Sequence, residues 1–176
     1  MSIEEIICKY GKDILRFCRF TAGERDNGDD LYQDTMLYLM NHLDSFDTSE
    51  NSVKSLALSI AVFLWKSKKR KYARRMSIVP MESIDALEER NDGAQDITVI
   101  QDTPEELLIR KEEVETLRLS IIKLPEKYRL PLLLHYLSEM QIKEVGEVLK
   151  LPESTVKTRL KRAKDLLRKE MEKYEG

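Results

Sequence analysis

The chain has 176 residues, 41% hydrophobic and 35% charged, with a formal net charge of −2 and only six glycines and five prolines; this allows one domain or two small ones and favours an all-α protein. No apolar run reaches the roughly 20 residues of a membrane span, and the opening MSIEEII has neither the basic start nor the apolar core of a signal peptide, so a cytoplasmic location without membrane insertion is expected. His42 and His135 stand alone, and with the two cysteines they make no metal-ligand spacing, so neither a metal nor another cofactor is expected.

Ile3, Ile6, Ile7, Tyr10, Ile14, Phe17 and Cys18 recur at helical spacing, which predicts a helix over residues 3–20 with one buried face. Cys8 and Cys18 on it read as buried or half-buried small residues rather than a redox pair. Residues 21–28 read as a polar loop. Asp30 is then expected to cap a second helix, with Gln33 as its reciprocal partner three residues on. That helix runs to about Leu43, with Leu31, Met36, Leu39, Met40 and Leu43 as its apolar residues. After a loop over residues 44–52, a third helix is predicted from Val53 to about Arg75. Its first half, LALSIAVFLW, is apolar almost all round and must be core. Its second half, KSKKRKYARR, carries seven basic side chains and no acidic one. Such an end suits nucleic acid, because Lys and Arg displace counterions from phosphates and aromatics such as Trp65 and Tyr72 can stack on unpaired bases. Trp65 taken alone reads better as a core residue.

Residues 76–103 lack sustained periodicity. The stretch 76–106 holds nine acidic residues against one basic, which predicts an acidic, flexible linker kept off a duplex by like charge, with a helical turn near residues 82–90. Thr103-Pro104-Glu105-Glu106 is a helix start: a capping hydroxyl, proline at the first position, then acids. The helix it opens runs through Leu107, Val114, Leu117 and Ile121 to the break at Leu124-Pro125, and a further helix covers residues 126–137. Residues 141–169 then read QIKEVGEVLKLPESTVKTRLKRAKDLLRK. A short helix carries Ile142, Val145 and Leu149 on one side, and Lys150-Leu151 makes a tight turn. A second helix opens at Pro152, suited to a first helical position, with Glu153 where a negative charge favours the helix dipole. Val156, Leu160, Ala163 and Leu167 form its apolar stripe; Ser154, Thr158 and Lys161 lie opposite, flanked by Lys157 and Arg162. This is the pattern of a helix-turn-helix, whose second helix can enter the major groove. Gly146 lets the two helices approach. For this stretch alone, a solvated basic helix packed in a bundle is the alternative, because such patterns are degenerate.

In this order and spacing, the motifs resemble a sigma-70 family sigma factor of the extracytoplasmic-function (ECF) type, a bacterial initiation subunit with two helical domains called regions 2 and 4. Asp30-Leu31-Tyr32-Gln33-Asp34-Thr35 and Asp44-Ser45-Phe46-Asp47 are similar to the core-polymerase-binding segment of region 2. Leu124-Pro125-Glu126-Lys127-Tyr128-Arg129 resembles the opening of region 4. Leu149, Leu151-Pro152 and Thr155-Val156-Lys157-Thr158-Arg159 resemble its helix-turn-helix. Two positions depart: Val53 and Leu56 stand where the family often has an aromatic pair, and Lys150 where the region 4 turn usually has glycine.

The resemblance implies core RNA polymerase and promoter DNA as partners, with an anti-sigma factor as a further candidate. It implies a region 2-like domain over residues 1–75, a linker over 76–103 that threads toward the active-site and RNA-exit channels, and a region 4-like domain over 104–176. Asp30, Gln33, Asp34 and Met40 would dock on the clamp helices of the polymerase largest subunit. Trp65, Lys66, Lys69 and Arg70 would contact the −10 element. Ser154, Thr155, Lys157, Thr158, Arg159, Lys161 and Arg162 would meet the −35 element. No catalytic residue belongs to the chain on this reading, because the polymerase does the chemistry. The rival is a free-standing helix-turn-helix regulator that needs no polymerase; it accounts for residues 141–169 but not for Asp30 to Asp47 or the basic end of the third helix.

Overall fold

A computed structural model describes residues 1–77 and 104–175, and every regular element among them is helical. The acidic stretch 78–103, and with it the expectation of a flexible linker and of a helical turn near 82–90, lies outside the described residues, as do the side chains of residues 104–110.

Helix α1 covers Ile3–Ala22. Ser2 and Glu5 cap its start reciprocally: the Glu5 N–H donates to Ser2 Oγ at 3.2 Å and the Ser2 N–H to Glu5 Oε2 at 2.8 Å. Ile6, Ile14, Phe17 and Cys18 are fully buried, while Ile7 and Cys8, expected on the buried face, are exposed. Gly23, at φ 74°, ends the helix in the left-handed conformation, its N–H donating to Arg19 O at 2.9 Å.

Helix α2, Arg25–Asn41, follows at once. The expected loop over 21–28 is therefore the end of α1, a two-residue turn and the first turn of α2. Asp30 lies inside the helix, caps nothing, and forms no box with Gln33. Packing between helices outweighs local propensity here. A Cβ on Gly28 would sit 2.5 Å from Arg19 Cα, so only glycine admits α1 this close. Arg19 Nε also donates to Asp29 Oδ1 at 2.8 Å.

Helix α3, Val53–Met76, completes a three-helix set, burying Val53, Ala57, Leu58, Ile60, Ala61, Val62 and Trp65. Helix α4, Pro104–Lys123, starts at the proline that the sequence marked. Its buried stripe differs from expectation: Val114 and Leu117 are exposed, while Ser120 and Ile122 are buried. The reason lies in its neighbours. Among the described residues α4 packs chiefly against α7 and the N-terminal helix α1, and Ser120 and Ile122, which it buries there, lie in its last turns. Helix α5, Glu126–Leu132, passes into one widened π-type turn over Leu133–Leu137 instead of continuing as a regular helix to 137. Pro131 inside α5 has no N–H to donate, and the Ser138 N–H reaches five residues back to Leu133 O at 3.1 Å. Helices α6, Ile142–Leu149, and α7, Glu153–Glu175, end the chain.

The two helical sets share apolar core. Ile6, Phe17 and Trp65 belong to the same buried cluster as Leu130, Leu134, Met140, Val145, Leu149, Val156 and Leu160. Arg129, only 4% exposed, ties two helix ends together from within α5. Its Nη1 donates to Ile122 O at 2.8 Å and Leu124 O at 3.0 Å, at the end of α4, and its Nη2 to Thr21 O at 3.1 Å, in the last turn of α1. Carbonyls at helix C-termini lack intrahelical donors, and a cation suits the negative end of the dipole.

Burial separates the two thiols. The Cys18 thiol is pushed up to about 12 by burial, partly offset by a hydrogen bond with Thr35, whereas Cys8 is exposed. Ten residues apart on one helix, they stand about 15 Å apart along its axis, too far for a disulfide. A maleimide reagent at neutral pH should therefore label one thiol in the native protein and two in denaturant. Rapid labelling of both without denaturant would mean that the α1–α2 core opens readily.

Candidate nucleic-acid interface

The turn between α6 and α7 is set by two residues. Lys150 adopts φ 56°, ψ 47°, a left-handed conformation that costs a lysine more than a glycine. The Leu151 N–H donates to Gly146 O at 2.9 Å. A Cβ on Gly146 would lie 2.8 Å from Leu151 O and 3.8 Å from Val156 Cγ2, so the glycine admits the turn's own backbone as well as the second helix. Val156, Leu160 and Ala163 are buried, as the stripe predicted, and Ser154, Lys157, Thr158, Lys161 and Arg162 share the exposed face of α7. Thr158 Oγ1 donates back to Ser154 O at 2.9 Å, leaving its oxygen lone pairs toward solvent. Thr155 and Arg159 are only half exposed and do not join that face fully.

On α2, Asp30, Gln33, Asp34, Leu37 and Met40 are all exposed at helical spacing. Leu37 is 53% and Met40 48% exposed, a cost in water that the fold itself does not explain. Asp34 Oδ2 lies 4.0 Å from Lys68 Nζ, with both side chains half in water, a pair worth little.

The basic half of α3 is arranged less freely than its composition suggests. Trp65 is buried, as its reading alone favoured, but its partner comes from the other end of the chain: its Nε1–H donates to Glu126 Oε1 at 2.5 Å. Lys69 Nζ stands 3.3 Å from Glu126 Oε2 and 5.5 Å from the Trp65 ring centroid. Lys66 lines a cleft with Glu126, Lys127, Leu149 and Arg159. Burial pushes its pKa down, Glu126 opposes that, and Arg159, Arg70 and Lys150 add to it. Arg70 remains exposed. The sequence reading passed over Phe63 as a surface residue. Its ring is 53% exposed and 6.4 Å from that of Tyr38, which stacks on His42 at 4.3 Å. Its place inside a nearly all-apolar run hid it.

Comparison with known proteins matches this layout. The family model "Sigma-70 region 2" covers residues 6–75 and "Sigma-70, region 4" covers residues 115–167. The RNA polymerase sigma factor YlaC of Bacillus subtilis is 30% identical over 98% of this chain and 93% of its own. The chain belongs to the sigma-70 family of RNA polymerase sigma factors. Among its relatives is the ECF sigma factor SigW of the same organism, 26% identical over 95% of this chain and 87% of its own, in line with an ECF type. The fold is shared with the sigma factor RpoE of Bartonella quintana, solved with the anti-sigma factor NepR, at TM-score 0.70 and 19% identity over 96% of this chain and 95% of that one. CnrH, solved with the cytosolic domain of CnrY, matches at TM-score 0.61 and 17% identity over 97% and 87%.

This sigma factor is thus a promoter-specificity subunit that works with core RNA polymerase. Its region 2 is α1–α3, and its region 4 match begins inside α4 and ends inside α7. No helix among the described residues is long and apolar enough to cross a membrane.

Proposed function

We propose that this sigma factor docks on core polymerase through Asp30, Gln33, Asp34 and Met40, with Leu37 in the same contact. Trp65, Lys66, Lys69 and Arg70 meet the −10 element, and the outer face of α7 reads the −35 element. Residues 1–75, 76–103 and 104–176 act as the −10 and docking domain, the linker and the −35 domain. The work is done in the cytoplasm, and the chemistry is the polymerase's own. The observation that carries this reading is the α2 face, which exposes two acids, an amide and two apolar side chains at one helical register. A regulator acting alone has no use for such a face.

On α7, Lys157 and Arg162 sit toward phosphates and Ser154, Thr158 and Lys161 toward base edges, with Thr155 and Arg159 at the margin. The two elements, named for their positions, lie about 25 base pairs apart, roughly 85 Å of duplex. Lys66 and Arg159 line one cleft in the free chain, so regions 2 and 4 must part before both elements can be read. The residues between Ser77 and Pro104 can span at most roughly 90 Å, enough for that separation.

Transcription from genomic fragments by core polymerase, with and without this protein, tests the reading. In that assay Thr158→Ala should change preference among −35 sequences. Lys157→Ala should weaken all promoters alike and reduce the salt slope by about one ion. An unchanged −35 preference in Thr158→Ala would overturn the facing assigned to α7.

A further inference from the structure

Closing this chain presses like charges together. Lys66 of α3 feels Arg159 and Lys150 of the helix-turn-helix as well as its own helix's Arg70, and Lys66, Lys127 and Arg159 line one cleft. The acid lining that cleft is Glu126, the first residue of α5. Its carboxylate accepts the Trp65 indole N–H through one oxygen and pairs with Lys69 through the other. An indole, an ammonium over its ring and a second lysine thus converge on a single anion. A phosphate beside an unpaired base would meet the same set.

We infer that Glu126 is an internal stand-in for nucleic-acid phosphate, latching region 4 over the −10 face of α3 and competing with single-stranded DNA for Trp65, Lys66 and Lys69. This rests on the −10 role proposed above for those three residues. The latch is poised rather than locked. Glu126 is one anion against Lys66, Lys69, Arg70, Lys127, Lys150 and Arg159, and like charges brought together across an interface oppose association. Without the carboxylate, every charge lining the cleft is positive. A ligand whose site is open in a fraction of molecules binds with its affinity reduced by that fraction, so the latch keeps the free chain off DNA. Separation of the two regions on the polymerase releases the α3 face at the moment it is needed. The apolar contacts of Leu134, Val145 and Leu149 and the Arg129–Thr21 hydrogen bond favour closure too, and the latch decides the balance between them and the clustered cations.

The test uses the full chain, with circular dichroism to check that each variant is folded. Small-angle X-ray scattering reports closure, and fluorescence anisotropy with labelled oligothymidine reports access to the α3 face. Glu126→Gln should increase the radius of gyration and tighten oligothymidine binding about tenfold, the scale of one charge-assisted hydrogen bond. Glu126→Lys should open the chain further, and adding Lys69→Glu should restore compaction by reversing the pair. An unchanged radius in both Glu126 variants overturns the latch. Opening without tighter oligothymidine binding overturns the competition. In that second case Lys69→Ala in the holoenzyme locates the fault: intact −10 melting there faults the −10 reading, and impaired melting faults the phosphate mimicry.

Discussion

Arg129→Ala is expected to lower the unfolding free energy by about 3 kcal/mol or more, because three buried carbonyls lose their donor at once and each unpaired buried group costs about 1–3 kcal/mol. The carbonyls of Ile122 and Leu124 end α4, and that of Thr21 lies in the last turn of α1, so the change frays two helices in different halves of the chain. For a chain of this length, each kcal/mol shifts the midpoint by about 2–4 °C, which places the fall at roughly 6–12 °C. Arg129→Lys should recover part of this. An ammonium keeps the charge at the helix ends, but it lacks the planar fork that reaches both sides. Urea unfolding followed by circular dichroism checks both variants. A loss below about 1 kcal/mol in Arg129→Ala would mean that water replaces the guanidinium without strain.

What the sequence disclosed follows how local the cause is. The helix-turn-helix was legible because its causes sit within a few residues of each other: the stripe Val156, Leu160 and Ala163, the helix start at Pro152-Glu153, and Gly146 beneath the turn. The exposed face of α2 was half legible. Gln33 and Asp34 stood out through the family resemblance, but Leu37 escaped because an exposed leucine leaves no mark on an apolar pattern. Asp30 misled, since an acid after a glycine-containing polar stretch imitates a cap. What requires glycine at position 28 is the backbone of Arg19 on another helix. The buried face of α4 was misplaced for the same reason: a helix pattern predicts that one side is covered, not how far along its length a neighbour reaches. Least legible of all were Trp65 with Glu126, 61 residues apart, and Thr21 with Arg129, 108 apart. No local pattern announces that an indole will find a carboxylate in the other half of the chain, and these are the contacts that bring regions 2 and 4 together.

Gln33→Ala combined with Asp34→Ala is expected to separate folding from function. Both side chains are exposed on α2, and the Asp34 contact to Lys68 spans 4.0 Å between half-solvated groups. Losing such a pair costs at most about 1 kcal/mol, so the unfolding midpoint should hardly move. Docked on polymerase, the same side chains are proposed to meet basic, hydrogen-bonding groups, where charge-assisted bonds are the strong kind. Truncating a buried polar contact at an interface costs about 2–5 kcal/mol, much of it from the partner group left unpaired. At about 1.4 kcal/mol per tenfold, affinity for core polymerase should fall by more than tenfold. The Leu37 and Met40 contacts remain in this variant, so binding should weaken rather than vanish, and excess core polymerase should restore part of the promoter-specific initiation. The Glu126 latch is untouched, so the scattering profile and the weak oligothymidine binding of the free chain should match wild type. Co-purification with core polymerase at wild-type strength would place the docking surface elsewhere. Tight, sequence-specific promoter binding by the chain alone, unaffected by these two substitutions, would mean that this chain selects promoters without the polymerase.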